Sequence, residues 1–221
     1  MLRTLALIAA LALPGLALAT APAPRPGTDF EEITPAQQSF GPPGTIEVAE
    51  VFSYHCGHCR DFEPLMSAWK KKTPSDVSVV YVHAAFGGPI DNLARGFFAA
   101  ESLGATGRTH TGVFRAFHEQ RSIPTGSIDE IADAYAAMGL DRKEVVDAMN
   151  SVGVSSKVNR AKQFAQRTGV AATPTVIVNG RYRVSATGDR GFEGMLQTIN
   201  FLVAKERAAR RAASSAAAVR G

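Results

Sequence analysis

Cysteine is scarce in this chain, which has only Cys56 and Cys59 among its 221 residues. Neither has another cysteine to pair with, so an internal disulfide can form only between these two. Such a bridge closes a loop too short to restrict the unfolded chain much, and its value as a structural staple is therefore low. Redox chemistry of the two thiols is the leading interpretation.

Long apolar runs, phosphate-binding loops and internal repeats are also missing. No segment reaches the roughly 18 uninterrupted apolar residues of an ordinary membrane-spanning helix. The glycines of Phe86-Gly87-Gly88-Pro89 are not followed by the lysine and hydroxyl residue of a phosphate loop, so this segment predicts a turn. These absences argue against a membrane-spanning core and against a nucleotide site.

The composition fits one soluble globular unit. Hydrophobic residues make up 45% of the chain, and about 200 residues are enough to bury a sizeable core without staples. Much of the net charge of +4 comes from residues 205–211, so it is a local feature and does not predict nucleic-acid binding. The Ala/Arg-rich residues 208–221 predict a disordered tail, with a frayed helix end as the alternative.

The first 19 residues have the order of a cleaved secretory signal. Arg3 precedes an apolar run over residues 5–13, Pro14-Gly15 breaks that run, and residues 17–19 are Ala-Leu-Ala. We predict a signal peptide over residues 1–19, cleaved after Ala19, and export to an oxidising compartment. An uncleaved N-terminal anchor is the alternative.

Hydrophobic patterning predicts a mixed α/β chain. Asn179-Gly180, between two short apolar runs, is the strongest two-residue hairpin signal. Ser127-Ile128-Asp129-Glu130 is a capping-box signature for a helix start. Strands are expected at residues 45–53, 77–82, 175–178 and 181–184, and helices over 91–169 and 191–205.

The two cysteines stand where the first predicted strand meets a helix-like run. The segment Phe52-Ser53-Tyr54-His55-Cys56-Gly57-His58-Cys59 places Cys56 over the first helical turn and Cys59 about one turn inside it. Free N–H groups and the positive end of the helix dipole then favour a thiolate on Cys56, the form that attacks disulfides.

Two motifs far apart in the sequence point to one known architecture. A strand leads into Cys-Gly-His-Cys, and Ala172-Thr173-Pro174 opens a hairpin more than a hundred residues later. This pairing resembles the thioredoxin fold. With the secretory signal, the long helical stretch and the block from Gly169 to Tyr182, the chain is similar to the DsbA family of periplasmic thiol:disulfide interchange proteins.

The resemblance implies an α/β chain with a thioredoxin fold and an inserted α-helical domain. The thioredoxin-fold domain is then discontinuous, formed by residues 20–90 and 170–207, and the helical insertion comprises residues 91–169. This assignment covers nearly the whole mature chain.

The resemblance also implies roles for individual residues. Cys56 becomes the exposed nucleophile and Cys59 its buried partner, with His58 donating hydrogen bonds or positive charge to the Cys56 thiolate. Glu50 becomes a buried acid beneath the site that exchanges protons with Cys59; an ordinary edge carboxylate is its alternative. Thr173-Pro174 resembles the cis-proline turn of the family, which faces the cysteines and binds an extended substrate.

The activity implied is that of a monomeric periplasmic oxidase that donates its disulfide to newly exported proteins. A DsbB-type membrane oxidase would reoxidise it, and the chain would hold no cofactor. Gly57 departs from the proline of strongly oxidising relatives, and Thr173 is similar to the residue found in isomerase-type proteins. A disulfide isomerase or reductase of the same fold is therefore the alternative.

Two other classes of protein compete with an enzyme. His55, Cys56, His58 and Cys59 are good zinc ligands, but four ligands within five consecutive residues can hardly surround one tetrahedral ion, so we predict no metal site. His83, His110 and His118 could complete such a site, but we expect them at strand and helix-surface positions. A binding protein with an incidental disulfide is the second alternative.

Overall fold

The computed structural model describes residues 23–88 and 90–218. The predicted signal peptide, residues 1–19, lies outside the described residues. The strands are β1 Glu31–Glu32, β2 Ile46–Phe52, β3 Val77–His83, β4 Thr175–Val178 and β5 Tyr182–Val184. They form a mixed five-stranded sheet in the order β1-β5-β4-β2-β3 at the centre of the described part. Strands β2 and β3 pair in parallel, and the other neighbours are antiparallel.

Helices cover both faces of the sheet. The helices are α1 Gly57–Lys71, α2 Asp91–Ser102, α3 Thr106–His118, α4 Ile128–Ala137, α5 Arg142–Asn150, α6 Val152–Arg167 and α7 Gly191–Ala218. Between β3 and β4 the chain forms the five helices α2 to α6, over the segment predicted as a helical insertion. Helices α1 and α7 bury Phe62, Met66 and Ile199 in a separate core against the sheet.

The turn between β4 and β5 follows from its two residues. Asn179 and Gly180 have φ values of 51° and 66°, the left-handed conformation that a two-residue hairpin of this type requires. A side chain at position 180 would also collide with the chain, because a Cβ there would lie 2.0 Å from the Gln37 carbonyl oxygen. The predicted hairpin is confirmed.

Local capping chemistry sets the start of α4. The Ser127 hydroxyl accepts a hydrogen bond from the Glu130 N–H, and the Glu130 carboxylate accepts one from the Ser127 N–H. Both halves of the predicted capping box are therefore present, and they satisfy N–H groups that the helix leaves free.

The expectation of a disordered tail over residues 208–221 is wrong for the part that the structure describes, because α7 continues to Ala218. Alanine and arginine are strong helix formers. Arg210 also fixes the helix to the body of the protein, donating hydrogen bonds to the carbonyl oxygens of Gly44 at 3.1 Å and Thr45 at 2.6 Å. Among the described helices, none combines the length and apolar character needed to span a bilayer.

Candidate active site

The cysteine pair lies at the start of α1, as the sequence predicts. Cys56 is the N-cap residue, with φ −81° and ψ 117°, and its sulfur accepts a hydrogen bond from the Cys59 N–H at 3.4 Å. Cys56 is half-buried, whereas Cys59 is 0% exposed. Both cysteines are free thiols in the structure. A substrate in solvent can therefore reach the Cys56 sulfur but not that of Cys59.

The surroundings separate the acidities of the two thiols. A hydrogen bond from the Cys59 side chain, with further hydrogen bonds from Thr173 and from the N–H groups of Cys59 and His58, lowers the pKa of Cys56 from 9.0 to about 5, although burial opposes this. The same hydrogen bond with Cys56, together with burial, raises the pKa of Cys59. One sulfur of the pair is therefore held as a thiolate near neutral pH while its partner stays protonated.

The turn at Thr173 lies directly against the reactive sulfur. The Cys56 sulfur lies 3.1 Å from the Thr173 carbonyl oxygen, to which the thiol donates a hydrogen bond when it is protonated. The Thr173-Pro174 peptide bond is cis, as the resemblance implies. Residues 117 positions apart in the chain thus meet at one site.

His58 contacts the reactive sulfur through its backbone. Its side chain is exposed, and no hydrogen bond joins its ring to any residue of 23–88 or 90–218. The backbone N–H of His58, rather than the ring, lowers the pKa of Cys56. The helix N-terminus therefore supplies this hydrogen bond whatever side chain follows Gly57.

Glu50 is buried in an interior strand, so it is not an edge carboxylate. It lies in β2, between Tyr81 of β3 and Val176 of β4, and is 2% exposed. Its Oε2 atom has no hydrogen-bond partner among the described residues. Burial, followed by repulsion from Glu63 and Cys56, raises the pKa of Glu50 to about 8. A carboxyl group of this kind can hold or release a proton near neutral pH.

Glu63 is a second buried acid at the site that the sequence reasoning missed. It lies on α1, on the same buried face as Cys59, Phe62 and Met66. The Thr111 hydroxyl donates a hydrogen bond to its Oε1 atom at 3.0 Å. The helical spacing of residues 59, 62, 63 and 66 was the available signal, because it puts a carboxylate on the core-facing side of the helix.

The residue opposite Glu50 on β3 is Tyr81, while Val79 and Val80 pair with Val48 and Ala49. From α1, the Lys70 Nζ atom lies 4.7 Å from the centre of the Tyr81 ring. Burial lowers the pKa of Lys70. A cavity of about 450 Å³, lined by Glu63, Lys70, Tyr81, His110 and Thr111 among others, opens on this side of the site.

Comparison with known proteins agrees with this geometry. The sequence model of the family described as Thioredoxin matches residues 41–200. The DsbA thiol:disulfide interchange protein of Pseudomonas syringae pathovar tomato is 36% identical over 96% of this chain and 100% of its own length. The chain belongs to the DsbA family. It is a thiol:disulfide oxidoreductase, and the DsbA of Pseudomonas aeruginosa is 38% identical over 76% of this chain and 79% of its own.

Solved DsbA structures have the same fold. The DsbA oxidoreductase of Xylella fastidiosa superposes with a TM-score of 0.76 at 38% identity, over 81% of this chain and 96% of the other. The DsbA of Pseudomonas aeruginosa gives a TM-score of 0.79 at 34% identity, over 85% and 96%. The prediction of a thioredoxin fold with inserted helices is thereby confirmed.

In this DsbA-family chain His83 lies on strand β3 and His118 is partly exposed on α3, as expected, whereas His110 is buried. His83 is 0% exposed and His110 is 7% exposed, so His110 is not at a helix-surface position. Both rings pack against Tyr54, and the ring of His118 bonds to the Tyr54 backbone. No group of three His, Cys, Asp or Glu side chains in the described ranges is arranged to hold a metal ion.

Proposed function

We propose that this protein is a periplasmic dithiol oxidase that donates its Cys56–Cys59 disulfide to newly exported proteins. The observation that carries the proposal is the asymmetry of the pair. The pKa of the accessible Cys56 is lowered to about 5, and that of the buried Cys59 is raised. A stabilised thiolate is a good leaving group, so the disulfide is readily reduced by a substrate dithiol.

The proposed reaction proceeds through one mixed disulfide. A substrate thiolate attacks the Cys56 sulfur, a substrate–Cys56 bond forms, the Cys56–Cys59 bond breaks, and the Cys59 sulfur takes up a proton. A second substrate thiolate then attacks the substrate sulfur, and Cys56 leaves as a thiolate. The substrate gains a disulfide and loses two electrons, which the enzyme holds as its dithiol.

Glu50 is proposed as the proton donor and acceptor for Cys59. Its pKa of about 8 lets it carry a proton near neutral pH, and the repulsion from Cys56 that contributes to this pKa supports its placement beside the cysteine pair. As Cys59 leaves the disulfide, Glu50 supplies the proton; on reoxidation it accepts one.

Thr173 and Pro174 are proposed to bind the substrate chain. The Thr173 carbonyl lies 3.1 Å from the Cys56 sulfur, so a peptide that pairs with this backbone as an added strand brings its own cysteine to Cys56. The exposed His58 ring adds positive charge beside the pair when it is protonated.

The compartment and the electron acceptor complete the proposal. A signal peptide at residues 1–19 directs the chain to the periplasm, where it works as a monomer without a bound cofactor. The dithiol product must be reoxidised, and membership of the DsbA family supports a DsbB-type membrane oxidase as its oxidant.

Trapping of the mixed disulfide tests the proposed roles. In Cys59→Ser the Cys56 thiolate should attack disulfide-bonded exported proteins, forming a mixed disulfide and releasing one substrate thiol. Without Cys59 this bond is not resolved, so the mixed disulfide should accumulate and be visible on non-reducing gels. Cys56→Ser should form none and should have no oxidase activity on a reduced peptide.

The two variants serve as controls for each other, because each keeps one cysteine. Equal trapping by both variants would show that Cys56 is not the sulfur that bonds to the substrate. Oxidase activity that survives in Cys56→Ser would rule out the proposed reaction.

A further inference from the structure

Tyr54 lies two residues before Cys56, and each of its polar groups bonds to a different histidine. Its side chain is 1% exposed. The histidines are His83 at the end of β3 and His110 and His118 on α3. We call Tyr54 with these three residues the histidine clamp. None of the four has a part in the chemistry proposed above.

His83 bonds to the Tyr54 backbone and is itself held by a carbonyl group. Its Nδ1 atom lies 2.7 Å from the Ala84 carbonyl oxygen, which can only accept, so Nδ1 carries the proton. The Nε2 atom is then free to accept the Tyr54 N–H at 3.1 Å. Burial lowers the pKa of His83 to about 3, so the ring stays neutral and keeps this acceptor.

The two histidines of α3 bind the other polar groups of Tyr54. The Tyr54 hydroxyl lies 2.9 Å from the His110 Nδ1 atom. The His118 Nε2–H donates to the Tyr54 carbonyl oxygen at 2.8 Å. His110 and His118 are about two helical turns apart on one helix. Helix α3 therefore binds both the side-chain hydroxyl and the backbone carbonyl group of Tyr54, a residue of the active-site loop.

A tight turn connects Tyr54 to the reactive sulfur of Cys56, two residues later in the chain. The Cys56 N–H donates to the Ser53 carbonyl oxygen at 3.0 Å, which makes a tight turn across Tyr54. The Cys56 sulfur accepts the Cys59 N–H at 3.4 Å, so a displacement of the turn changes the length and angle of this hydrogen bond.

We propose that His83, His110 and His118 are positioning residues which, through Tyr54, hold the Cys56 sulfur over the first turn of α1. The inserted helices thereby set the reactivity of a thiol that belongs to the thioredoxin part of the chain. Packing alone does not account for three histidines here. Apolar rings would fill the same space but would leave the Tyr54 N–H and C=O groups buried without partners, which is costly. The inference rests on Cys56 being the reactive thiol.

The test compares variants that remove one clamp bond each. His118→Ala removes the donor to the Tyr54 carbonyl, and Tyr54→Phe removes only the hydroxyl that meets His110. Each should raise the Cys56 thiol pKa, followed by thiolate absorbance near 240 nm, by about half a unit to one unit. Each should also shift the thiol:disulfide equilibrium with glutathione about three- to tenfold toward the protein disulfide. His118→Gln keeps an N–H donor and should restore most of both values.

Val145→Ala is the matched control. Val145 is fully buried on α5 of the same helical segment but makes no hydrogen bond to Tyr54. This variant should melt at a lower temperature and keep the parent thiol pKa and glutathione equilibrium. If His118→Ala and Tyr54→Phe behave like Val145→Ala, or if His118→Gln is no better than His118→Ala, the clamp is only structural. If the unsubstituted protein shows no rise in thiolate absorbance at low pH, the role of Cys56 as the reactive thiol is wrong instead.

Discussion

At the scale of residues, Cys56 and Cys59 show how far two neighbouring side chains of one type can diverge. One sulfur caps a helix and faces solvent, and the other is enclosed by the core. The largest contribution to the low pKa of Cys56 is the hydrogen bond from the Cys59 side chain. The buried thiol therefore stabilises the charge on the exposed one.

Removal of that donor should make Cys56 less acidic. In Cys59→Ala the pKa of Cys56 should rise above about 5, by about one unit, because a hydrogen bond to a charged group is lost. Cys59→Ser keeps an O–H donor at the same place and should stay closer to the parent value. Thiolate absorbance as a function of pH measures both. Identical curves for the two variants would mean that the helix N-terminus alone sets the acidity of Cys56.

Glu50 should make the stability of the protein depend on pH. Its pKa is raised from 4.5 to about 8 on folding, so the folded state binds the proton more tightly than the unfolded state does. Stability should therefore fall as pH rises through this window. Between pH 5 and pH 8, Glu50→Gln should remove about 2–4 kcal/mol of that fall. Denaturant melts of the disulfide form, which lacks the Cys56 thiolate, give the slope.

The slope with pH is the decisive quantity for Glu50, because a buried amide changes the absolute stability in its own way. Glu119 is exposed at the end of α3, and Glu119→Gln should leave the slope unchanged. A Glu50→Gln slope equal to that of the parent would show that folding does not raise the pKa of this carboxyl.

The sequence predicts the cysteine roles, Glu50 and the Thr173-Pro174 turn because each stands in a motif. Glu63 has a local signal in the helical spacing of α1, but the histidine clamp has none. The placement of His110 and His118 depends on which helix of the segment 91–169 lies against the cysteine loop, and no local pattern carries that information. His110 and His118 were expected on a helix surface because single histidines at helical spacing do not indicate what they face.

At the scale of elements, the N-terminus of α1 is the part on which the site depends. Gly57 is the first helical residue, and a Cβ there would meet nothing within 4 Å. Cys56 before it has the extended conformation, with ψ 117°, that a following proline requires. These are the conditions under which proline fits a helix start.

Gly57→Pro should therefore stabilise both redox forms by about 0.4–1 kcal/mol, mainly because it restricts the unfolded chain. Thermal melts measure the effect. Gly96→Ala is an informative contrast, since a Cβ at position 96 would lie 2.7 Å from Ile131 Cγ2 and 3.0 Å from Tyr135 Cε2, and this variant should lose stability. Destabilisation by Gly57→Pro would mean that the Gly57 N–H or its backbone freedom is needed.

Elements were predictable where their signals are local. The Asn179-Gly180 hairpin and the Ser127 capping box are decided by residues next to one another. The end of α7 is not, because an Ala/Arg-rich segment suits both a helix and a disordered tail. The bonds from Arg210 to the carbonyl groups of Gly44 and Thr45, which are distant in sequence, favour the helix.

At the scale of the whole molecule, the redox state of one residue pair is linked to the stability of the fold. In the reduced protein the pKa of Cys56 falls from 9.0 to about 5 on folding. Its ionisation therefore stabilises the folded dithiol form. This contribution is fully present above the unfolded value and is lost as pH falls through the folded value. The disulfide form has no such group, and its short loop contributes little and independently of pH.

Thermal melts of the two redox forms from pH 4 to pH 8 test the central claim, that Cys56–Cys59 is an oxidising disulfide, most directly. The thiolate should add about 1–2 kcal/mol to the dithiol form at pH 7, after allowance for solvent screening of the half-exposed sulfur. The melting temperature of the dithiol form should therefore rise relative to that of the disulfide form as pH increases through about 5, and should exceed it at pH 7. A disulfide form several degrees more stable at pH 7, with a gap that does not change with pH, would contradict the account.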